Sequence, residues 1–363
     1  MAETGRRIAF IGTGSMGFEM ARRLIAAGFD LSVYDREPAR CERLVELGAR
    51  LAEGPADAVR DADVAITMVG GPEDVEDLYL SRGGLVDASR QGAYLIDMTT
   101  VTPELARDVY GIAEVSERHA FDAPVVGGVQ AAREGRLTVL CGADEATVAP
   151  VRDVLDALAG RVVCTGGAGR GQAAKLASQV AFSCEMLGLA EAVALARQGG
   201  LDPETALEAL GATGAVSAAA APYGALMAAA DYTASDLAAG ALLGDLGLAL
   251  QAAEEEGLSL PGAETASQLY RMLDEMGGGR MGAQAVDLVY SDEETCAGFG
   301  LSWSDVSGLD GDAEVAGGVA GYAGSDDDGY DDAYGEDDEA YGDEDDDDAR
   351  LASAYEFGGG EWA

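Results

Sequence analysis

The chain has 363 residues, and 66 acidic side chains against 23 basic ones give it a formal net charge of −43 at pH 7. Nucleic-acid binding depends on Lys and Arg side chains that neutralise phosphates, so this balance excludes a protein that holds nucleic acid through its own basic surface. The imbalance is uneven, since residues 291–363 contain 24 of the acids and a single base, Arg350. A globular body is therefore expected to precede a strongly acidic tail.

The cysteines and the apolar segments bear on location. Five widely spaced cysteines without a CxxC pair predict neither a disulfide framework nor a zinc site, and a reducing cytoplasm is the expected compartment. The first apolar run leads into glycines rather than a cleavage site, so no signal peptide is predicted. Residues 209–230 are uncharged and long enough to cross a membrane, but their Ala-rich composition with Pro222 favours small-residue helices in a soluble domain. We therefore expect no membrane association.

From residue 6 onward, short β runs alternate with segments of helical period. The helical segments are residues 15–28, 38–48 and 103–118, and the predicted strands are residues 6–12, 30–35, 63–69, 92–99, 119–126, 136–142 and 161–166. Alternating βα units of this length imply a parallel sheet that is covered on both faces. Residues 1–166 are therefore predicted to form a doubly wound α/β domain of the Rossmann type.

Beyond Gly171 the sequence contains no convincing strand. The predicted helices there are residues 172–198, 203–210, 235–257 and 263–277, so residues 167–290 are predicted to form an all-α domain for substrate binding and oligomerisation. From residue 291 Gly, Asp, Glu and Tyr dominate. This composition contains too little aliphatic surface to bury a core, so residues 291–363 are predicted to be a disordered, low-complexity acidic tail.

A glycine motif indicates a dinucleotide site. Gly12, Gly14 and Gly17 have the spacing GxGxxG, follow a predicted strand and open a predicted helix, and Asp35 ends the next strand. In such a site the first glycine permits a tight turn, the second admits a pyrophosphate close to the backbone, and the third lets the helix pack on the sheet. The helix N-terminus supplies N–H groups to the phosphates. The alternative is a glycine-rich turn without a ligand.

The residue at the end of the second strand selects the cofactor. An acidic side chain at Asp35 accepts hydrogen bonds from ribose hydroxyls and repels a 2′-phosphate, which favours NAD. Arg36 follows directly, and an Arg in this place can accommodate the 2′-phosphate of NADP. Both cofactors therefore remain open, with NAD preferred.

Five segments in order resemble the β-hydroxyacid dehydrogenase family, which includes 3-hydroxyisobutyrate dehydrogenase. They are IGTGSMGFEMARRLIAAG, DMTTVTP, FDAPVVGGVQAAREGRLTVLCGA, GAGRGQAAKLASQ and GDLGLALQAAEEEG, and the similarity runs over about residues 6–290. The resemblance implies hydride transfer between a nicotinamide and a small β-hydroxyacid or its semialdehyde. By motif position it implies a catalytic role for Lys175, the only Lys among the 23 basic residues. An ammonium can stabilise a developing alkoxide and donate a proton to it, whereas Arg does not titrate. The alternative is an exposed helix lysine.

The resemblance also implies the rest of the site, with departures. Gln179, the second implied catalytic residue, stands one turn after Lys175 where the family has Asn. Val126 replaces the family's Ser, and Gly244 replaces the Lys of its late helix. Thr99 and Thr100 match a Ser/Thr motif beside the nicotinamide, or else they only cap the next helix. The remaining implied contacts to the cofactor are those of Thr13, Ser15, Met16 and Val69. The implied contacts to the substrate are those of Thr100, Val126, Gly127, Gly128, Lys175 and Gln179.

Alternatives remain for function and environment. The missing Ser and Lys also suit an imine reductase of the same architecture, although the retained Lys175 argues against it. A non-catalytic dinucleotide-binding protein with a partner-binding acidic tail is the third hypothesis. The acidic composition fits a high-salt cytoplasm, and a GC-rich genome accounts equally for the scarcity of Lys. The resemblance further implies a homodimer or homotetramer.

Overall fold

A computed structural model describes residues 5–233 and 237–306 of the chain. Its N-terminal part contains a six-stranded sheet in which every neighbouring pair of strands is parallel. The strands are β1 Arg7–Ile11, β2 Asp30–Tyr34, β3 Arg50–Leu51, β4 Val64–Thr67, β5 Tyr94–Asp97 and β6 His119–Asp122, in the order β3-β2-β1-β4-β5-β6. This order is that of a Rossmann fold, as predicted. The strand order reverses between β1 and β4, where such sheets bind their ligands.

Helices cover both faces of this sheet. Ile8 and Phe10 of β1 pack into one apolar cluster, while Ala9 and Ile11 pack into a second cluster on the opposite face. Because the central strands are buried on both sides, they are apolar without alternation. The helices are α1 Ser15–Ala26, α2 Glu42–Glu46, α3 Pro55–Val59, α4 Pro72–Leu80, α5 Leu85–Ala88 and α6 Pro103–Val115. The predicted helix 38–48 was too long, because Pro38–Cys41 forms a 3-10 helix before α2.

The predicted strand 119–126 is two strands that belong to different sheets. β6 ends at Asp122, and Pro124, which has no N–H to donate to a ladder, separates it from the next strand. A second sheet of three strands follows, with one antiparallel and one parallel pair. Its strands are β7 Val125–Val126, β8 Leu137–Cys141 and β9 Ala159–Cys164, and the helices between them are α7 Gly128–Glu134, α8 Glu145–Val148 and α9 Arg152–Leu158.

The C-terminal part is helical. Its elements are α10 Arg170–Gln198, α11 Pro203–Ala212, α12 Ala221–Ala228, α13 Ala239–Glu255, α14 Pro261–Glu275 and a 3-10 helix Ala283–Tyr290. α10 packs against α13 and α14 and also against β8 and α6, so it joins the two parts of the fold. By length and composition α10 is apolar enough to cross a membrane, a property it shares with core helices of soluble proteins. The stretch 209–230 is divided between α11 and α12, as two small-residue helices.

The predicted start of the acidic tail at residue 291 is wrong for its first residues. Helix α15 spans Glu293–Gly298, and a 3-10 helix spans Trp303–Asp305. Cys296, Leu301 and Trp303 are buried in the same apolar cluster as α13 and α14. Sparse but well-spaced apolar side chains therefore extend the folded body to residue 306, and residues 307–363 of the predicted tail lie outside the described part of the chain.

A buried polar network lies at the carboxyl end of the sheet. The Oδ1 atom of Asp97 accepts hydrogen bonds from the Thr67 hydroxyl at 2.7 Å and from the Thr99 N–H at 3.1 Å. The Thr67 hydroxyl is also 2.9 Å from the Tyr79 hydroxyl. Burial outweighs these hydrogen bonds and raises the pKa of Asp97 to about 6.

The segment 291–306 gives a first prediction. We expect Trp303→Ala to lower the free energy of unfolding by about 3–5 kcal/mol, because it removes a buried aromatic side chain from the helical core. Urea unfolding of both proteins measures this difference. Ser304→Ala, an exposed neighbour, serves as the control and should change the stability little. Equal losses in the two variants would contradict the placement of Trp303 in the core.

The raised pKa of Asp97 gives a second prediction. The folded protein holds this proton up to about pH 6, whereas the unfolded chain releases it near pH 4. The contribution of Asp97 to the free energy of unfolding therefore falls by on the order of 3 kcal/mol as the pH rises through this window. We expect the stability of Asp97→Asn relative to wild type to increase from pH 4 to pH 7.

The matched control for this pH series is Asp144→Asn. Hydrogen bonds from Thr147 lower the pKa of Asp144, so wild type should gain on that variant as the pH rises. Chemical denaturation at several pH values measures both slopes. Parallel slopes for the two variants would contradict the assignment of the proton to Asp97.

Candidate active site

The turn between β1 and α1 requires its glycines. Gly12 has φ of +92°, and a Cβ atom on it would lie 2.2 Å from the carbonyl oxygen of Met68. A Cβ on Gly17 would lie 2.0 Å from the carbonyl oxygen of Gly12. The helix therefore approaches the turn more closely than a residue with a side chain at this position would allow. A Cβ on Gly14, just before α1, would contact only the end of the Arg40 side chain, at 3.9 Å from Nη1. The turn therefore exposes a helix N-terminus to whatever lies above it, as a phosphate site requires.

A cavity of about 490 Å³ opens above this turn, and Asp35 lies in its wall. Asp35 is only 8% exposed, and its Oδ2 atom accepts a hydrogen bond from the Thr13 N–H at 2.7 Å. Its Oδ1 atom accepts one from the Glu37 N–H at 2.9 Å, so the carboxylate is held by the backbone on both sides. Thr13 itself is buried, and its hydroxyl bonds to Asp35, so its side chain shapes the turn.

Eight of the ten residues predicted to contact the cofactor line this cavity, and Thr13 and Thr99 do not. Its wall contains Gly12, Gly14, Ser15, Met16, Gly17, Asp35, Arg36 and Val69. Both arginines in the wall are paired with carboxylates, since Arg36 Nη1 lies 2.8 Å from Asp74 Oδ1 and Arg40 Nη2 lies 2.7 Å from Glu37 Oε1. A glycine turn, a helix N-terminus and a fixed carboxylate in one cavity suit a dinucleotide.

The loop after β5 is fixed to the cavity wall. The Thr99 hydroxyl accepts a hydrogen bond from the Val69 N–H at 3.1 Å, and Thr99 is buried, while Thr100 beside it is half-buried. Neither residue caps the following helix, because the hydroxyl of Thr102 accepts the hydrogen bond from the Leu105 N–H. The alternative interpretation of Thr99 and Thr100 as capping residues is therefore wrong.

Two buried residues that the sequence analysis did not single out anchor α10. Asp122 at the end of β6 accepts hydrogen bonds from the N–H groups of Gly169 at 2.7 Å and Gln172 at 2.8 Å. Burial raises the pKa of this carboxyl despite these donors. The side chain of Gln172 in turn donates to the Thr99 carbonyl oxygen at 2.7 Å and accepts from the Val101 N–H at 3.1 Å.

Lys175 is buried one turn further along α10. Its Nζ atom donates to the carbonyl oxygen of Val125 at 3.2 Å and lies 3.3 Å from Asp245 Oδ2 on α13. Gln179 donates to the same Asp245 oxygen at 2.7 Å, which places Lys175 and Gln179 on one face of the helix. Lys175 is 6% exposed, so the alternative of an exposed helix lysine is wrong. The position of Asp245 in the GDLG segment was visible in the sequence, but no pattern there indicated that it meets Lys175.

The residues next to Val125 complete the surroundings of this lysine. Val126 is half-buried and ends β7, and Gly127 and Gly128 lead into α7 with φ values of +132° and +69°. A Cβ on Gly127 would lie 2.7 Å from the Cβ of Ala131, so this turn also requires glycine. Gly244 on α13 borders open space. His119, the only histidine, is exposed at the start of β6 and stacks on Tyr94 with ring centroids 4.7 Å apart, at the strand end opposite Asp122.

Two family models match the chain. The NAD-binding domain of 6-phosphogluconate dehydrogenase matches residues 7–166, and the NAD-binding domain of NADP-dependent 3-hydroxyisobutyrate dehydrogenase matches residues 169–289. Together the matches cover the sheet domain and the helical domain, and they end before the acidic segment.

Relatives in sequence and solved structures agree with these matches. The probable 3-hydroxyisobutyrate dehydrogenase-like 1 of Arabidopsis thaliana is 37% identical over 77% of this chain and 84% of that protein. The NAD-dependent L-serine dehydrogenase of Pseudomonas aeruginosa is 34% identical over 75% of this chain and 93% of that protein. The structure of Mycobacterium tuberculosis 3-hydroxyisobutyrate dehydrogenase with L-serine superposes with a TM-score of 0.72 at 29% identity, over 78% and 98% of the two chains. The chain therefore belongs to the β-hydroxyacid dehydrogenase family of NAD(P)-dependent oxidoreductases.

Proposed function

We propose that the protein transfers a hydride between a nicotinamide and the carbon that carries the hydroxyl of a small β-hydroxyacid, or the carbonyl of its semialdehyde, with Lys175 as general acid and base. The observation that carries this proposal is the burial of the only lysine of the chain between Val125 and Asp245. NAD(P), when bound to the glycine turn and Asp35, supplies or accepts the hydride.

The contacts of Lys175 suit a proton transfer. An ammonium has three N–H donors. Within the described part of the chain, Nζ is directed to the Val125 carbonyl oxygen and the Asp245 carboxylate, which leaves one N–H for a substrate oxygen. In the reduction direction Lys175 donates its proton as negative charge develops on that oxygen, and in the oxidation direction it accepts the hydroxyl proton.

Gln179 and Asp245 fix the position of this amine. Gln179 donates to the Asp245 oxygen that also faces Nζ, so one carboxylate oxygen is held by both side chains of α10. A fixed donor contributes to catalysis because it does not need to reorganise during the reaction. Asp245 therefore acts as a positioning residue for Lys175 in the proposed mechanism.

A variant pair tests the role of Lys175. We expect Lys175→Ala to lower kcat by about 10²- to 10⁴-fold, the range that positioned acid–base groups contribute, while NADH still binds to the glycine turn. Lys175→Arg keeps the positive charge but cannot exchange a proton near neutral pH, so it should not restore the activity. Steady-state kinetics on 3-hydroxyacids and semialdehydes and NADH fluorescence titration measure the two quantities.

The same measurements separate the alternatives. Turnover of Lys175→Ala at the wild-type rate would contradict the proposed role. Reduction of cyclic imines with NADPH, without turnover of hydroxyacids, would support an imine reductase instead. Binding of NADH without turnover of any substrate in the panel would support a non-catalytic protein. Assays in dilute buffer and in molar KCl test the high-salt interpretation of the acidic composition.

Charge in the cofactor cavity supports a preference for NAD over NADP. Asp35, Glu37, Asp74 and Asp77 line the cavity, whereas its two arginines are both paired with carboxylates. A 2′-phosphate would meet net negative charge there. We therefore expect a higher kcat/KM with NADH than with NADPH.

Asp74→Asn tests this explanation, because it releases Arg36 from its ion pair. The ratio of kcat/KM for NADPH to that for NADH should rise about tenfold, equivalent to about 1.4 kcal/mol. Asp77→Asn is the matched control, since it removes the same charge from the cavity wall without releasing Arg36. An equal rise in both variants would show that net charge, rather than Arg36, determines the preference.

Cytoplasmic location, which rests on the cysteine pattern, belongs to the same proposal. Assembly as a homodimer or homotetramer also belongs to it and rests on the sequence resemblance. Light scattering of the purified protein tests the assembly. A monomer at working concentration would contradict it.

A further inference from the structure

We propose that Gln172 is a positioning residue that holds the loop Thr99–Val101 at a fixed place relative to Lys175, so that the hydride and the proton are transferred in one geometry. The inference rests on the proposed function, because it assigns the loop to the nicotinamide and Lys175 to the proton. It concerns a side chain that makes no contact with the described cofactor cavity and that belongs to the helix of the catalytic lysine.

Gln172 is fully buried, and both ends of its amide are used. Nε2 donates to the carbonyl oxygen of Thr99 at 2.7 Å, and Oε1 accepts from the N–H of Val101 at 3.1 Å. The two backbone groups flank Thr100 in the chain. A primary amide is the side chain that offers a donor and an acceptor together, so it pairs with this loop as a neighbouring strand would.

The helix that carries Gln172 is itself fixed. Asp122 accepts hydrogen bonds from the N–H groups of Gly169 and Gln172, which are among the first groups of α10 that lack a partner within the helix. A Cβ on Gly171 would lie 2.7 Å from Asp122 Oδ2, so the contact has no room for a larger residue. The amide of Gln172 therefore starts from an anchored backbone.

The spacing along α10 connects this contact to the proton donor. Gln172 and Lys175 are three residues apart, which is one helical turn, and the intervening backbone is rigid. On the other side, Thr99 accepts from the Val69 N–H, and Val69 lies in the cofactor cavity wall. A continuous series of hydrogen bonds thus leads from the cavity through Gln172 to the helix of Lys175. Displacement of reacting groups by 1 Å can lower a rate by about 10²-fold.

Two substitutions test the role of Gln172. Gln172→Leu removes both hydrogen bonds, and we expect kcat to fall about 10- to 100-fold while the affinity for NADH stays close to wild type. Gln172→Glu is the second variant. Its protonated form donates through the O–H and accepts through the carbonyl, as the amide does, whereas its ionised form only accepts. The kcat of Gln172→Glu relative to wild type should therefore rise as the pH falls.

The titratable groups near this contact include Asp122 at the end of β6, Asp97 at the end of β5, Lys175 on α10 and Cys141 on β8, which interacts with Asp122. They are present in both proteins, so the ratio of the two rates at each pH removes their own titration to first order. Gln251→Leu is the matched control, because Gln251 is exposed and its side chain donates to Glu255 within α13. It should leave kcat and its pH profile unchanged.

Hydrogen exchange supplies a measurement that does not depend on catalysis. In the protein without cofactor, the Val101 amide should exchange faster in Gln172→Leu than in wild type and return to protection in Gln172→Glu at low pH. Wild-type protein that turns over no substrate would refute the proposed function. The exchange data would still test whether Gln172 holds the Val101 N–H. A wild-type kcat in Gln172→Leu would overturn the positioning role. If the leucine variant is poorly folded, a pH-independent rate ratio in Gln172→Glu would overturn it instead.

Discussion

The carboxylate of Asp122 at the N-terminus of α10 is the contact on which the candidate site depends. It joins the last strand of the parallel sheet to the 29-residue helix that runs into the helical domain. An anion at this end of a helix satisfies unpaired N–H groups and interacts favourably with the helix dipole, which offsets part of the cost of its burial. A Cβ on Gly142, the residue after β8, would lie 1.9 Å from Asp122 Oδ1, so this position also has room only for glycine.

The site is built largely from main-chain groups. Lys175 donates to the carbonyl oxygen of Val125, Gln172 pairs with backbone groups around Thr100, and Asp35 is held by N–H groups of the glycine turn and its own strand end. Main-chain groups at the ends of buried strands move little, since the core on both sides of the sheet restrains them. The few side chains that perform chemistry are therefore oriented by the same packing that stabilises the fold.

Much of this arrangement follows from the sequence. The βα alternation, the glycine spacing and the position of Asp35 report local requirements of strand, turn and helix, and these were predicted correctly as a Rossmann fold. Lys175 stood out because it is the only lysine in a chain rich in arginine. Its burial against Asp245 and Val125 agrees with the predicted role.

The remaining features depend on contacts between distant segments. Asp245 contacts Lys175 at a separation of 70 positions in the sequence, and Gln172 contacts the loop after β5 at a similar separation. No local sequence pattern therefore predicts either contact. The break at Pro124 and the folded segment 291–306 were missed for a related reason. The structure of these two segments depends on the distant sheet or core against which they pack, and periodicity within one segment does not report such contacts.

The solitary lysine also makes the site chemically distinguishable from the rest of the molecule. Apart from the α-amino group, an acylating reagent that prefers amines finds a single target in the chain, and that target is buried against Asp245 and Val125. Acylation at Lys175 therefore requires α10 and α13 to separate or the ion pair to open. The rate at which this one amine becomes modified is a measure of how often the contacts of Lys175 with Asp245 and Val125 open.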